Sequence, residues 1–410
     1  MNNISGIQKF LNRDSTFFSS ENYIESTKTD FQKKEALPAC YEWNSEKKVK
    51  TVVQKIFSSI FFPLIFLHRS LHNLAGKIAF LPSSQSELFL EQKIEQKRKN
   101  LDVNDTFNTE KFRYKRFSIK VDGHLIDAAI MGTEKTLING KWLLAANGNG
   151  EYYEQKLAKS NSEIKCILAK TNANAIVFNY AGVGSSERVP KGVLNREMME
   201  RVYQAFLNFL EDEKNGIGAK EVIAYGHSIG GAVVARAMKN HLIEKTTKNE
   251  KILPIVIVTS RTFSSMYAAA RDLIDSRNTL SRPLGYILGL ATRLLGWNMQ
   301  TAKDLKEVKV PQIIMQTAEV SNLRELTKNE KDLLKHDQII SKDASLASEL
   351  IQQSETSNIT RTFVGMKENH NSGLINEKGI GCYIENEDVN TLSQIINQTL
   401  RHQSSFLKLS

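Results

Sequence analysis

Cysteine is nearly absent from this chain. The three that occur, Cys40, Cys166 and Cys382, lie far apart in 410 residues. That argues against a disulfide framework and provides no zinc-ligand spacing, so the protein is expected to fold in, or tolerate, a reducing compartment. The opening MNNISGIQKFLNRD lacks the basic start, apolar run and small-residue cleavage site of a Sec signal; any export is expected to use another route. The most apolar stretch, Ile56 to Leu67, has about twelve residues where a membrane-spanning helix needs ~20, and Pro63 interrupts it. No stripe of Arg and Lys interleaved with aromatics is present, which argues against nucleic acid as a partner. There is no internal repeat and no low-complexity tract.

What is present is an ordinary globular composition, 41% hydrophobic and 24% charged, with a net charge of +10. The basic excess is scattered among acidic residues but suits an anionic surface. Residues 1–105 form an expected N-terminal helical extension, with the apolar segment 56–67 and a charged helical connector from Glu87 to Lys99. Lys48, Lys50, Lys55, Arg69 and Lys77 flank the apolar segment. It reads either as a helix packed on the main domain or as an element in peripheral contact with a membrane.

Residues 106–410 read as one α/β domain. Phe117, Ile119 and Val121 alternate with polar residues, Asp122-Gly123 offers a tight turn, and Leu125 to Ile130 follows, the pattern of a β-hairpin. Buried strands are expected at 141–146, 175–180, 221–225, 252–258, 310–315 and 359–364. Helices are expected at about 152–170, from Leu194 to Leu210, and from Ala232 to Leu242. Repeated βα units imply a mostly parallel sheet covered by helices on both faces. An insert at about 262–305 is helical and apolar on more than one side, with Leu284, Tyr286, Ile287, Leu288, Leu290, Leu294, Leu295 and Trp297. It reads equally as a cap over an acyl chain or as a buried helix of the same domain.

Gly226-His-Ser-Ile-Gly230 lies between a buried strand and a helix. A serine hydroxyl is a weak nucleophile unless it is held exposed and offered to a base. In a G-x-S-x-G elbow the serine sits on a sharp strand-to-helix turn, next to a helix N-terminus that favours negative charge.

With these residues the chain resembles the α/β-hydrolases. Asn147-Gly-Asn-Gly150 resembles the family's His-Gly-x-Gly oxyanion loop, with Asn147 where histidine is usual. Tyr180-Ala-Gly-Val-Gly-Ser-Ser186 resembles a second family segment, with Ala181 in place of arginine. The apolar leader, the Gly-His-Ser-Ile-Gly-Gly run and His336-Asp-Gln-Ile-Ile340 are similar to a narrower group, lipase-like hydrolases and secreted effectors of intracellular bacteria such as Legionella and Chlamydia.

The resemblance implies a triad in the chain order serine, acid, histidine. Of the histidines after Ser228, which are His241, His336, His370 and His402, His241 lies on the following helix and His402 near the tail; His370 sits in a polar loop after the last strand, where the family places its base. The acid is expected at Asp337, with Glu319 and Asp332 as alternatives. Backbone N–H groups of Ile229 and Asn149 are the implied oxyanion donors. The implied activity is ester hydrolysis on a lipid or other acyl ester, with a thioesterase or peptidase open to the same residues. No metal and no cofactor is called for. A binding protein on a hydrolase scaffold is the other class, kept open by Asn147 and Ala181.

The narrower resemblance also implies a bacterial cytoplasmic protein that is delivered into a host cell. The ending Gln403-Ser-Ser-Phe-Leu-Lys-Leu-Ser410, with Glu385, Glu387 and Asp388 upstream, reads either as an unstructured address signal or as the frayed end of a last helix.

Overall fold

A computed structural model describes residues 36–41, 62–76, 106–107, 110–111, 113–133, 136, 140–158, 162–189, 193–213, 216–275, 282–352, 359–372 and 387–409. The connector from Glu87 to Lys99 and the first part of the apolar segment, 56–61, lie outside the described residues.

The hairpin forms at the start of the domain. β4 (Arg113–Val121) and β5 (His124–Gly132) pair antiparallel. Both turn residues take positive φ, 49° at Asp122 and 86° at Gly123, the backbone of a tight turn that matches strand twist. β6 (Lys141–Ala146), β7 (Asn174–Phe178), β8 (Glu221–His227), β9 (Ile255–Ser260), β10 (Gln312–Thr317) and β12 (Arg361–Met366) then build a parallel sheet. β1 (Ala36–Tyr41) adds to one edge, parallel to β4, and the short β11 (Arg324–Leu326) pairs antiparallel at the other. The ten-stranded order is β1-β4-β5-β7-β6-β8-β9-β10-β12-β11, and every strand but β5 and β11 points one way. A smaller pair, β2 (Thr106–Phe107) and β3 (Glu110–Lys111), stands apart. A reversed strand near one edge, a crossover at β6 and β7, and a parallel remainder make this the α/β-hydrolase fold.

Side-chain alternation explains why both faces are covered. In β6, Trp142, Leu144 and Ala146 enter one core while Leu143 and Ala145 enter the other; in β8, Val222 and Ala224 oppose Ile223 and Tyr225. α4 (Asn195–Glu211), α5 (Ile229–Thr247), α8 (Thr301–Glu307) and α9 (Leu346–Ile351) close the first face. α2 (Tyr153–Ala158), α3 (Glu163–Thr171) and α10 (Glu387–Leu409) close the second.

Several boundaries differ from expectation. The single helix expected over 152–170 is two, because Ser162 accepts a hydrogen bond from the Lys165 N–H and starts α3 afresh. β9 and β10 begin later than expected, after Pro254 and Pro311. Lacking N–H groups, these prolines offer only carbonyls, which accept from Val222 and Ile257. α5 starts at Ile229, directly behind the serine, and runs beyond Leu242. The chain end is helical through Leu409 rather than an unstructured tip; Glu387 and Asp388 open α10, and Glu385 lies outside the described residues.

The insert divides. α6 (Met266–Asp275) and α7 (Arg282–Leu294) pack closely through Gly289, where a Cβ would stand 2.9 Å from the Tyr267 ring. The outer face of α7 is exposed, so it is not a buried helix. Trp297, Ala302 and Leu305 instead belong to the main core. In the N-terminal region α1 (Phe62–Ala75) docks where the insert rejoins the body: the His72 ring stacks on Trp297 at 4.7 Å, and the Trp297 indole N–H donates to the His72 carbonyl at 2.9 Å.

Candidate active site

The C-terminal ends of β6, β8, β10 and β12 share one edge of the sheet, where open α/β folds place their ligands. Ser228 follows β8. Its φ of 54° and ψ of −122° lie in a region that costs a non-glycine residue about 1–3 kcal/mol. The neighbouring glycines make the turn possible. A Cβ at Gly226 would stand 2.5 Å from the Gly230 carbonyl oxygen, and one at Gly230 would stand 2.5 Å from that of Ala146. The elbow thus folds into its own helix start and against the end of β6.

His370 sits four residues beyond the end of β12, and its Nε2 lies 3.0 Å from Ser228 Oγ. Its Nδ1 lies 2.8 Å from Asp337 Oδ2, and its backbone N–H donates to the Asp337 carbonyl at 2.8 Å. Asp337 is fully buried. The other carboxylate oxygen, Oδ1, accepts from the N–H groups of Ile339 at 3.0 Å and Ile340 at 2.6 Å. Burial alone would raise the pKa of Asp337. The hydrogen bond and charge of His370, with those two backbone donors, outweigh it and hold the carboxyl below its usual range. The alternatives lie elsewhere: Glu319 pairs with Lys335 at the surface, and the Asp332 side chain is wholly exposed. Among the other histidines, His241 is paired with Glu211, and His336 accepts from the Gln338 N–H in the exposed part of the acid loop.

The loop after β6 is held from three sides. The Asn147 side-chain N–H donates to the Phe178 carbonyl at 2.7 Å, and the Tyr180 hydroxyl donates to the Asn147 carbonyl at 3.1 Å. Gly148 N–H donates to Glu151 Oε2 at 2.5 Å, while the Lys156 ammonium sits 3.0 Å from the same carboxylate. Burial raises the pKa of Glu151, but Lys156, His227 and the Gly148 N–H bring it down to about 2. The Gly148 donor is thereby committed. Asn149 is the next residue of the turn, and Ile229 begins α5, whose first N–H groups have no intrahelical acceptor.

Beneath the serine lies a charged network that the sequence pattern did not disclose. Arg261, in the left-handed region at φ 48° directly after β9, is almost wholly buried. Its Nη1 donates to the carbonyls of Asn369 at 2.7 Å and Ser372 at 2.5 Å, its Nη2 to Glu163 at 2.5 Å, and Tyr225 donates to the same carboxylate at 2.7 Å. The available signal was a charged residue three positions beyond the apolar run Ile255 to Val258. His227 was also passed over. Its ring lies 5.0 Å from that of His370, and burial pushes its pKa well below the usual histidine value. Among the described residues no group of His, Cys, Asp and Glu could hold a metal ion.

A family model described as Chlamydia CHLPS protein (DUF818) matches residues 10–386. The chain belongs to this family. None of the curated proteins matches this chain. Among solved structures it is similar to a fungal esterase of Rhizomucor miehei, at 11% identity and a TM-score of 0.49, covering 83% of this chain and 97% of that one. An alpha-beta hydrolase from Vibrio vulnificus is similar at 16% identity and a TM-score of 0.46, covering 78% and 94%. An esterase of Pyrococcus furiosus is similar at 14% identity and a TM-score of 0.42, covering 72% and 91%.

Proposed function

We propose that this protein is a serine hydrolase that cleaves carboxylic esters by acyl transfer, with lipid esters as its substrate class. The observation that carries the reading is the unbroken chain from Ser228 Oγ through His370 to the buried Asp337, at 3.0 and 2.8 Å. His370 Nε2 takes the serine proton as Oγ attacks the ester carbonyl, and the imidazolium so formed is stabilised by Asp337. The tetrahedral oxyanion is met by the backbone N–H groups of Ile229 and Asn149, each such donor lowering the barrier by about 3–4 kcal/mol. His370 then protonates the departing alkoxide, leaving an acyl-serine. Water, deprotonated by the same imidazole, releases the carboxylic acid and restores Ser228.

The apolar segments of the sequence and its resemblance to lipase-like hydrolases favour lipid over small polar esters. The test is a fluorophosphonate probe, followed by a panel of short and long acyl esters. Wild-type protein is expected to label and to turn over esters. Ser228→Ala, which removes little packing, should lose labelling and several orders of magnitude in rate at an unchanged melting temperature. A variant that kept its activity, or a wild type that neither labelled nor hydrolysed, would reject the reading.

A further inference from the structure

α1 and α7 present a surface that neither helix explains alone. On α1, Leu64, Leu67, Leu71 and Leu74 are 63%, 54%, 44% and 53% exposed. On α7, Leu284, Ile287, Leu290 and Leu294 are 56%, 63%, 50% and 67% exposed. Soluble monomers seldom leave contiguous apolar patches of this kind uncovered. The two helices are joined end to side: His68 Nε2 lies 2.8 Å from the Leu294 carbonyl, and His72 Nδ1 lies 2.5 Å from that of Leu295.

The chain topology places both helices at one end of the sheet. α6 and α7 leave the C-terminal end of β9. α1 meets the start of α4, on the chain that leaves the C-terminal end of β7, where Asn195 N–H donates to Asn73 at 3.3 Å. Ser228 lies at the same end of the sheet, after β8. Ser341, in the loop carrying Asp337, donates to Asp272 of α6 at 2.6 Å, tying the helical pair to the triad loop.

Charge selects the occupant. Neither α1 (FPLIFLHRSLHNLA) nor α7 (RPLGYILGLATRL) contains a carboxylate; their charged residues are Arg69, Arg282 and Arg293, beside His68 and His72. Arg69 and Arg293 are exposed. A second copy of a chain carrying +10 would bring like charge to this face, whereas an anionic bilayer supplies both apolar depth and opposite charge. At 14 and 13 residues the helices are shorter than the ~20 needed to span, so a bilayer would meet them lying along its interface. No helix among the described residues is long and apolar enough to cross a membrane.

We propose that α1 and the outer face of α7 form one docking surface for an anionic phospholipid membrane, with the Ser228 end of the sheet turned toward the bilayer. Docking itself is independent of the ester chemistry; that the surface delivers substrate rests on the proposed hydrolase reading.

The test uses full-length protein in flotation assays with phosphatidylcholine vesicles, with and without phosphatidylserine. Binding to the phosphatidylserine vesicles is expected, weakening as salt is raised. Leu64→Glu with Leu67→Glu, and separately Ile287→Glu with Leu290→Glu, should each reduce partitioning at least about tenfold. Hydrolysis of a short soluble ester and the melting temperature should stay unchanged, because these side chains already face solvent. The proposal is overturned if wild-type protein ignores anionic vesicles at low salt, binds neutral ones equally well, or tolerates both pairs of substitutions. A stable dimer dissociated by the α7 substitutions would assign the face to a second copy and overturn it too. Vesicle binding by a protein that hydrolyses no ester would leave the docking surface standing and remove the hydrolase reading.

Discussion

Arg261 Nη1 donates to the carbonyl of Asn369, the residue immediately before His370, at 2.7 Å. The guanidinium therefore grips the backbone of the base loop from below while Glu163 and Tyr225 hold it in place. A planar fork reaches Asn369 and Ser372 from one nitrogen and Glu163 from another; a lysine must aim all its donors from a single compact nitrogen, without that spread.

Arg261→Lys is accordingly expected to act as the loss of a positioning residue. Charge is retained, so Glu163 is not stranded and the protein should still fold. The loop carrying His370 loses one or more anchors, and small misplacements of a base are costly. kcat should fall by about tenfold or more with KM little changed. Steady-state kinetics on a soluble ester check this; an unchanged kcat, or a rise in KM alone, would show that the clamp does not position the base.

Asp337→Asn tests the acid. Asparagine keeps the shape and can still accept from the N–H groups of Ile339 and Ile340, but it cannot stabilise an imidazolium. A loss of about 10³–10⁴-fold in kcat is expected, against little change for Glu319→Gln, whose carboxylate pairs with Lys335 at the surface. Comparable losses in the two variants would remove Asp337 from the triad.

Glu200 makes stability depend on pH. Burial on α4 raises its pKa from 4.5 to about 7; Arg196 and Arg236 oppose the rise, and Asp304 and Glu197 add to it. Between those values the unfolded chain has released this proton and the folded one retains it, so stability falls as pH rises and the loss is complete above pH 7. Glu200→Gln removes the effect. Its melting temperature should match wild type near pH 4 and exceed it at pH 8, by an amount reflecting up to about 3 kcal/mol. Equal melting temperatures at both pH values would show that folding does not raise the pKa of Glu200.

Features written in neighbouring residues were legible beforehand. The Asp122-Gly123 turn, the alternation in β4, the glycine-flanked serine and the loop at Asn147 each depend on backbone geometry that a few adjacent residues dictate. The late loops placed Asp337 and His370 as candidates only through resemblance, because nothing local links positions so far apart in sequence. The Arg261 clamp was hidden for the same reason, its members coming from β8, α3, the end of β9 and the last loop. The seat of α1 was equally illegible. Its histidines resemble surface residues until His72 is stacked on Trp297. The division of the insert depended on which side of each helix finds a partner, and periodicity alone does not report that.

The Gly226-His-Ser-Ile-Gly230 pentapeptide carries two kinds of information that evolve under different pressures. Its glycines answer to steric exclusion, because a methyl group at either would collide with backbone that the fold cannot move. Its serine, on the proposed reading, answers to chemistry through the bond between its hydroxyl and His370 Nε2. A descendant that abandoned catalysis would have every reason to keep Gly226 and Gly230 and none to keep Ser228. Within a family sharing this scaffold, the glycine pair would trace ancestry, while, on the proposed reading, a serine at position 228 would mark the members able to form an acyl intermediate.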